Sequence, residues 1–248
     1  MRIVGKILLG IISIIFFVIF ILLATVKFEV LNKAFLFGAF EKHNVYVQLP
    51  SLVADSLQNT SNLSDEQKIG YGNFINNIPP KLIKPLVENN LGQIVDYLNG
   101  QSKDVTLSFS LNGIGFENAS GLRWSLSQMP DKNLRDGLLS LNEAGNTIII
   151  LGAIILTILI AVVILYGKGI LLVDGIFIIV ISLIGKLFSM AIGDALLKSP
   201  ELQQKLLGLL LSSLLPDITT SWLVIGGVLI VTWFILYFAP TKHEKLLE

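Results

Sequence analysis

Four long apolar stretches dominate the pattern of hydrophobic and polar positions along the chain. They cover residues 7–26, 147–166, 170–190 and 222–238, and only the third contains charged side chains. A helix of about 20 mostly apolar residues crosses the hydrocarbon core of a bilayer. The pattern therefore predicts an integral membrane protein with four transmembrane helices.

Two of these spans admit alternatives. The first follows a basic start, Arg2 and Lys6, and could be a cleaved signal peptide. Its apolar stretch exceeds the usual length of about 7–15 residues, which favours an uncleaved anchor. The third span could also be re-entrant, in which case three crossings would leave the carboxyl terminus outside the cell.

The distribution of basic residues in the short flanking segments predicts the orientation, because Lys and Arg favour the cytoplasmic side. With the amino terminus inside, the inner segments hold five basic residues: Arg2, Lys6, Lys168, Lys242 and Lys245. The segment between spans three and four holds Lys198 and Lys205. We therefore predict that both termini are cytoplasmic in a bacterial plasma membrane and that residues 28–145 are extracytoplasmic.

The predicted extracytoplasmic domain carries clear helix signals. Ser64 followed by Gln67 forms a capping box. A longer helix begins at Pro79-Pro80 and is stopped by Asn99-Gly100. Between these signals the apolar residues share one helical face: Ile83, Val87, Leu91, Ile94 and Leu98.

The remainder of this domain predicts a small β element and one further helix. Apolar residues alternate with Thr and Ser from Val105 to Leu111, which indicates a strand with one buried face. Arg123-Trp124 is predicted to belong to a second strand. A short helix around Leu134, Leu138 and Leu141 would lead back to the membrane.

The predicted fold class is a mainly α membrane protein whose mostly helical extracytoplasmic domain carries a small β element. The chain divides into five parts: a first transmembrane helix (1–27), the extracytoplasmic domain (28–145), a transmembrane hairpin (146–190), an outer loop with an amphipathic helix (191–220), and the fourth transmembrane helix with a cytoplasmic tail (221–248).

The helix of the outer loop has two distinct faces. Ser199-Pro200-Glu201 provides a cap, a proline at the start and an acid in the first turn. One face is polar or small: Glu201, Gln204, Lys205, Gly208 and Ser212. The other is apolar: Leu202, Leu206, Leu209 and Leu210. This helix is predicted either to lie on the membrane surface or to pack against the extracytoplasmic domain.

Composition narrows the possible functions. Only 15% of the residues are charged and the net charge is zero, so nucleic acid is not an expected partner. The chain has no cysteine, which excludes disulfides, thiolate nucleophiles and iron–sulfur clusters. His43 and His243 are predicted to lie on opposite sides of the membrane as solvated residues. No catalytic residue, metal site or cofactor is therefore predicted.

Asp174 and Lys186 are the candidate functional residues within the membrane, because ionisable side chains are rare there and often functional. They are twelve residues apart on one helix, about 18 Å along its axis, so they cannot pair with each other. Their positions near opposite ends of the span favour contact with water at the two boundaries. A pore, a relay or a contact with a partner helix is the alternative.

A stripe of small residues on the same helix predicts close helix packing. It consists of Gly185, Ser189 and Gly193. Gly226 and Gly227 in the fourth span could form the opposing surface. The contact could lie within one chain or between the chains of a homo-oligomer.

Three short motifs resemble those of a group of uncharacterised bacterial integral membrane proteins. These are Leu31-Asn32 after the first span, Asn44-Val45-Tyr46, and the helix end Tyr97-Leu98-Asn99-Gly100, which precedes an alternating strand. The resemblance covers about residues 25–115. It implies a bacterial envelope protein with an extracytoplasmic domain after the first transmembrane helix, and it implies no activity.

The expected function is that of a non-enzymatic membrane protein of the cell envelope. Its extracytoplasmic domain would mediate protein interaction or assembly, with the lipid bilayer and either an envelope protein or further copies of the chain as partners. An oligomeric channel or transporter is the first alternative. A membrane enzyme acting on envelope substrates is the second, although it would need an acid–base pair that the sequence does not reveal.

Overall fold

The computed structural model describes residues 2–58, 63–109, 122–125, 128 and 132–238. Eight α-helices lie within these residues: α1 (Arg2–Thr25), α2 (Lys33–Lys42), α3 (Val45–Gln58), α4 (Asp65–Asn76), α5 (Pro80–Leu98), α6 (Lys132–Tyr166), α7 (Gly169–Leu197) and α8 (Leu202–Phe238). A π-helical turn (Val26–Val30) extends α1, and two strands, β1 (Thr106–Phe109) and β2 (Leu122–Ser125), form a small sheet.

Four helical stretches are long and apolar enough to cross a membrane. They are Leu8–Val30, Thr147–Ile164, Gly169–Leu197 and Leu202–Phe238. Many of their large apolar side chains face outward, and Leu187 and Ile164 are 72% and 75% exposed. Lipid solvates such side chains, whereas water would not. The four predicted spans are therefore present as helices long and apolar enough to cross a membrane, and the chain has the properties of a multi-pass membrane protein.

The helices are longer than the sequence pattern predicts. The short helix predicted around Leu138 and the second span form one continuous helix, α6. The predicted outer-loop helix and the fourth span likewise form the single 37-residue helix α8, which contains Pro216. At about 1.5 Å per residue, α8 is about 55 Å long. The hydrocarbon core is about 30 Å thick, so much of α8 projects beyond it on one side.

The projecting half of α8 has its faces arranged differently from the prediction. Lys205 and Gly208, two of the five residues predicted on the polar or small face, are buried, and Leu207 and Leu210 are exposed. The reason is steric, because the small side chains on this face allow α7 to pack closely against it. Leu209, predicted on the apolar face, is buried at 2% exposure.

The chain between the first two spans (residues 31–146, the inter-span segment) packs onto the projecting half of α8. Phe40 and Tyr46, with ring centroids 6.1 Å apart, form a hydrophobic cluster that includes Leu209 of α8. Leu36 and Val45 complete the buried part of this cluster. Of the two predicted positions for this part of the chain, packing against the inter-span segment is therefore the one observed.

The inter-span segment otherwise follows its sequence signals. Ser64 and Gln67 form the predicted capping box at the start of α4. The predicted apolar face of α5 points into the interior, with Ile83 buried. The second predicted strand is also present, and β1 and β2 pair antiparallel from Thr106↔Ser125 to Phe109↔Leu122. Leu111, predicted to continue the first strand, lies outside the described residues.

Candidate functional site

A polar contact joins α1 to α7 within the membrane-spanning part of the protein. The Ser13 hydroxyl donates a hydrogen bond of 2.9 Å to Asp174 Oδ2. Both residues are buried, at 1% and 4% exposure. Asp174 therefore does not reach water at the end of its span as the sequence favoured. It makes the helix contact that was the alternative prediction.

The second carboxylate oxygen of Asp174 is buried without a hydrogen-bond partner among the described residues. No basic side chain of the described chain forms an ion pair with it. A buried carboxylate without a compensating charge is unfavourable in a membrane. A proton or a small cation is the simplest species that could neutralise it at this position.

Lys186, the second candidate residue within the membrane, is only half-buried. It lies three helical turns further along α7, and the described residues show no ion pair for it. The structure therefore does not bring Lys186 and Asp174 together, as expected from their spacing. Partial exposure fits the prediction that Lys186 extends toward a membrane boundary.

The α7–α8 contact is the most extensive helix pair of the described structure, and small residues line it. A Cβ atom at Gly193 would lie 3.0 Å from Ser212 Cβ, and one at Gly185 would lie 3.1 Å from Thr219 Cγ2. Ser189 is buried at 1% exposure. The predicted stripe therefore does pack against another helix of the same chain.

Thr219, Ser212 and Gly208 lie opposite the stripe in place of the predicted Gly226 and Gly227, and Gly226 contacts α7 at another position. Gly226 of α8 faces Gly175 of α7. A Cβ atom added at either glycine would lie about 3 Å from the carbonyl oxygen of the other. A Cβ atom at Gly227 would meet no described atom within 4 Å, so Gly227 is not part of the contact. The pairing of α7 with α8 also continues to Gly208, which the sequence analysis placed on the polar or small face of the outer-loop helix.

A second polar cluster joins the inter-span segment to α8. Lys42 donates a hydrogen bond to Asp217, and His43 Nε2 lies 3.5 Å from the other oxygen of Asp217. Nearby, Trp222 Nε1 donates a 2.8 Å hydrogen bond to Thr25 Oγ1 of α1. His43 is thus half-buried against a carboxylate and is not the fully solvated residue expected. His243 lies outside the described residues.

Tyr46 links α3 to α5 close to this cluster. Its hydroxyl donates a 2.8 Å hydrogen bond to Glu88 Oε1. Burial, together with the hydrogen bond and the negative charge of Glu88, raises the pKa of Tyr46 above its ordinary range. Lys84 pairs with Glu41 at 3.0 Å, and this contact raises the pKa of Lys84. These contacts hold α2, α3 and α5 together.

Sequence reasoning missed Ser13, Asp217 and Gly175. A single serine in an apolar helix is common and gives no signal by itself. Asp217 lies next to Pro216 in a stretch that resembles a loop, so its position inside α8 was not apparent. Gly175 adjoins Asp174, and a search for glycines and serines spaced four apart from Gly185 does not reach it.

Helix α4 is an arm that packs mainly against α3. It exposes Ile69 and Tyr71, at 57% and 50%, although it lies outside the four apolar spans. These two residues are about 200° apart around the helix, so they lie on different sides of α4. Tyr71 and Phe74, 50% and 37% exposed, are three residues apart and therefore lie side by side on α4, and contiguous apolar side chains of this kind outside the four apolar spans are typical of interaction surfaces.

Within the described parts of the chain, no group of three metal-ligating side chains comes together. Comparison of the chain with protein-family models, with curated proteins and with solved structures finds no match. The resemblance to bacterial envelope proteins therefore stays a prediction, and any functional argument depends on the geometry.

Proposed function

We propose that this chain is a non-enzymatic integral membrane protein of the bacterial cell envelope, and that its extracytoplasmic inter-span segment mediates protein interaction or assembly. The observation that carries the proposal is the α4 arm. It places Tyr71 and Phe74 next to each other at the surface, outside the four apolar helices.

The packing of the inter-span segment onto α8 supports the same proposal. Phe40 and Leu209 belong to one hydrophobic cluster, and Lys42 and His43 contact Asp217. The inter-span segment to which a partner would bind at α4 is therefore packed directly against α8. The clustered titratable groups are paired across this helix junction, which favours a structural role over acid–base catalysis.

Photo-crosslinking in intact membranes tests the α4 surface. A photoreactive residue replacing Tyr71 or Phe74 in the full-length chain should produce a discrete protein adduct. The same substitution at Glu66, an exposed polar residue of the same helix, should produce much less. An adduct of twice the chain mass would indicate self-assembly, and another discrete mass would indicate a different protein. Labelling of lipid only, or equal labelling at Glu66, would contradict the proposal.

A channel or transporter is the second candidate function, and the buried pair formed by Ser13 and Asp174 favours it. Both side chains belong to membrane-spanning helices, and one oxygen of Asp174 has no hydrogen-bond partner among the described residues. Such a carboxylate could bind and release a proton or a small cation during transport.

Liposome flux measurements test this second candidate. Under an applied pH or cation gradient, the wild-type protein should conduct above protein-free liposomes, and Asp174→Asn should reduce the flux to that background. Asp194→Asn provides the control, because Asp194 is an exposed carboxylate of the same helix and should leave the flux unchanged. If the wild type gives no flux, or if Asp174→Asn retains it, Asp174 has no transport role.

A further inference from the structure

A groove between α1 and α6 opens toward the lipid at one end of the membrane-spanning region. It has a volume of about 220 Å³ and almost wholly apolar walls. Phe20 and Leu23 form one wall, and Gly152, Ala153 and Leu156 form the other. Because eight residues separate Phe20 from Phe28, the groove is about 12 Å long, which suits part of an acyl chain.

A polar cleft adjoins this groove. Lys27 and Phe28 line both, and the cleft, with a volume of about 400 Å³, is also lined by Lys33 and Asn99 of the inter-span segment. An apolar groove beside a polar cleft matches the two chemical parts of a phospholipid. Phe28, 70% exposed at the junction, is an aromatic residue of the kind found at membrane interfaces.

The two lysines of the cleft differ in how their charge is compensated. Lys33 forms a 2.6 Å ion pair with Asp96. Lys27 donates only to the neutral amide oxygen of Asn99, at 2.8 Å, and forms no ion pair with any described residue. The positive charge at the mouth of the groove is therefore available to an anion, and basic residues at this depth attract anionic headgroups.

We propose that this is a binding site for an anionic phospholipid. One acyl chain lies in the groove between α1 and α6, and the phosphate contacts Lys27 at the entrance to the polar cleft. The charge of Lys27 distinguishes a lipid of net negative charge from a zwitterionic one. The apolar walls on both helices distinguish a lipid from a free phosphate.

Native mass spectrometry of the full-length protein tests the site. The probes are phosphatidylglycerol and phosphatidylcholine with identical acyl chains, titrated into protein in mild detergent. The wild type should bind one phosphatidylglycerol with a clear preference over phosphatidylcholine. Lys27→Ala should weaken phosphatidylglycerol binding about tenfold, because it removes a charge-assisted contact, and should abolish the preference.

A second variant tests the groove independently of charge. A Cβ atom at Gly152 would meet no described atom within 4 Å, so the side chain in Gly152→Leu can start there and extend into the groove that Gly152 lines. It should lower the affinity for both lipids about tenfold or more, and Ala153→Leu should act in the same direction. The control is Gly10→Leu. Gly10 is an open position in α1 that does not line the groove, so this variant should leave binding unchanged.

Three results would overturn the proposal. These are equal binding of the two lipids to the wild type, unchanged binding by Lys27→Ala, and unchanged binding by both groove-filling variants. A chain dimer that forms in place of the lipid complex, and that Gly152→Leu disrupts, would assign the groove to a second copy of the protein and reject the lipid.

Discussion

Gly226→Ala should destabilise the protein, although it adds only one methyl group. The new Cβ atom would lie 2.9 Å from the carbonyl oxygen of Gly175 and 3.3 Å from the amide nitrogen of Ile179. Because both are backbone atoms of α7, the two helices must move apart along part of their contact. We expect a loss of about 1–3 kcal/mol in the free energy of unfolding, the usual cost of overpacking. Unfolding in mixed micelles by added denaturing detergent measures this loss.

The neighbouring glycine provides the matched control. Gly227→Ala makes the same chemical change one residue further along α8, where a Cβ atom meets no described atom within 4 Å. Because alanine favours a helix over glycine, stability should stay the same or rise by up to about 1 kcal/mol. Equal losses from the two variants would show that Gly226 does not lie in a close helix contact.

Phe40→Ala should have the largest effect on the attachment of the inter-span segment. The Phe40 ring is 1% exposed and lies in the cluster that joins α2 and α3 to Leu209 of α8. Removing a buried phenyl ring costs about 3–5 kcal/mol through lost burial and the cavity left behind. We expect faster amide hydrogen exchange in α2, α3 and the first half of α8, with little change in α6.

An exposed phenylalanine provides the control, because its removal shows whether losing any phenylalanine side chain speeds hydrogen exchange in α2 and α3. Phe188 of α7 is 63% exposed, so Phe188→Ala removes the same side chain without opening a buried cavity. It should leave exchange in α2 and α3 unchanged. If Phe40→Ala also left that exchange unchanged, the inter-span segment would not depend on this cluster for its position on α8.

The elements that the sequence predicted correctly are those whose signals are local. The four spans follow from runs of apolar residues. The capping box at Ser64 and the apolar face of α5 each depend on residues only three or four positions apart. Local signals also explain the errors, because the first half of α8 was interpreted as a separate amphipathic helix with a polar or small face. Which face of α8 is buried depends on α7, which the sequence of α8 does not contain.

In the candidate sites too, the sequence revealed the residues that carry a local signal but not their distant contact partners. Asp174 was identified because a charge in an apolar span is visible in the sequence, but its contact with Ser13 joins residues 161 positions apart. The small-residue stripe of Gly185, Ser189 and Gly193 was visible for the same reason. Its partners on α8, Thr219 and Ser212, were not, because helix register and rotation decide which residues of α8 face the stripe.

Because α8 is one continuous helix, a tilt of α8 moves its two ends in opposite directions. Trp222, which bonds to Thr25, lies 20 residues from Leu202 and 16 from Phe238, so the two arms on either side of it are about 30 and 24 Å long. If α8 pivots at this bond, a tilt of about 5° moves its two ends by about 2–3 Å in opposite directions. A bilayer that becomes thinner or thicker tilts its helices. Such a change would therefore displace the surface against which Phe40 and Tyr46 pack.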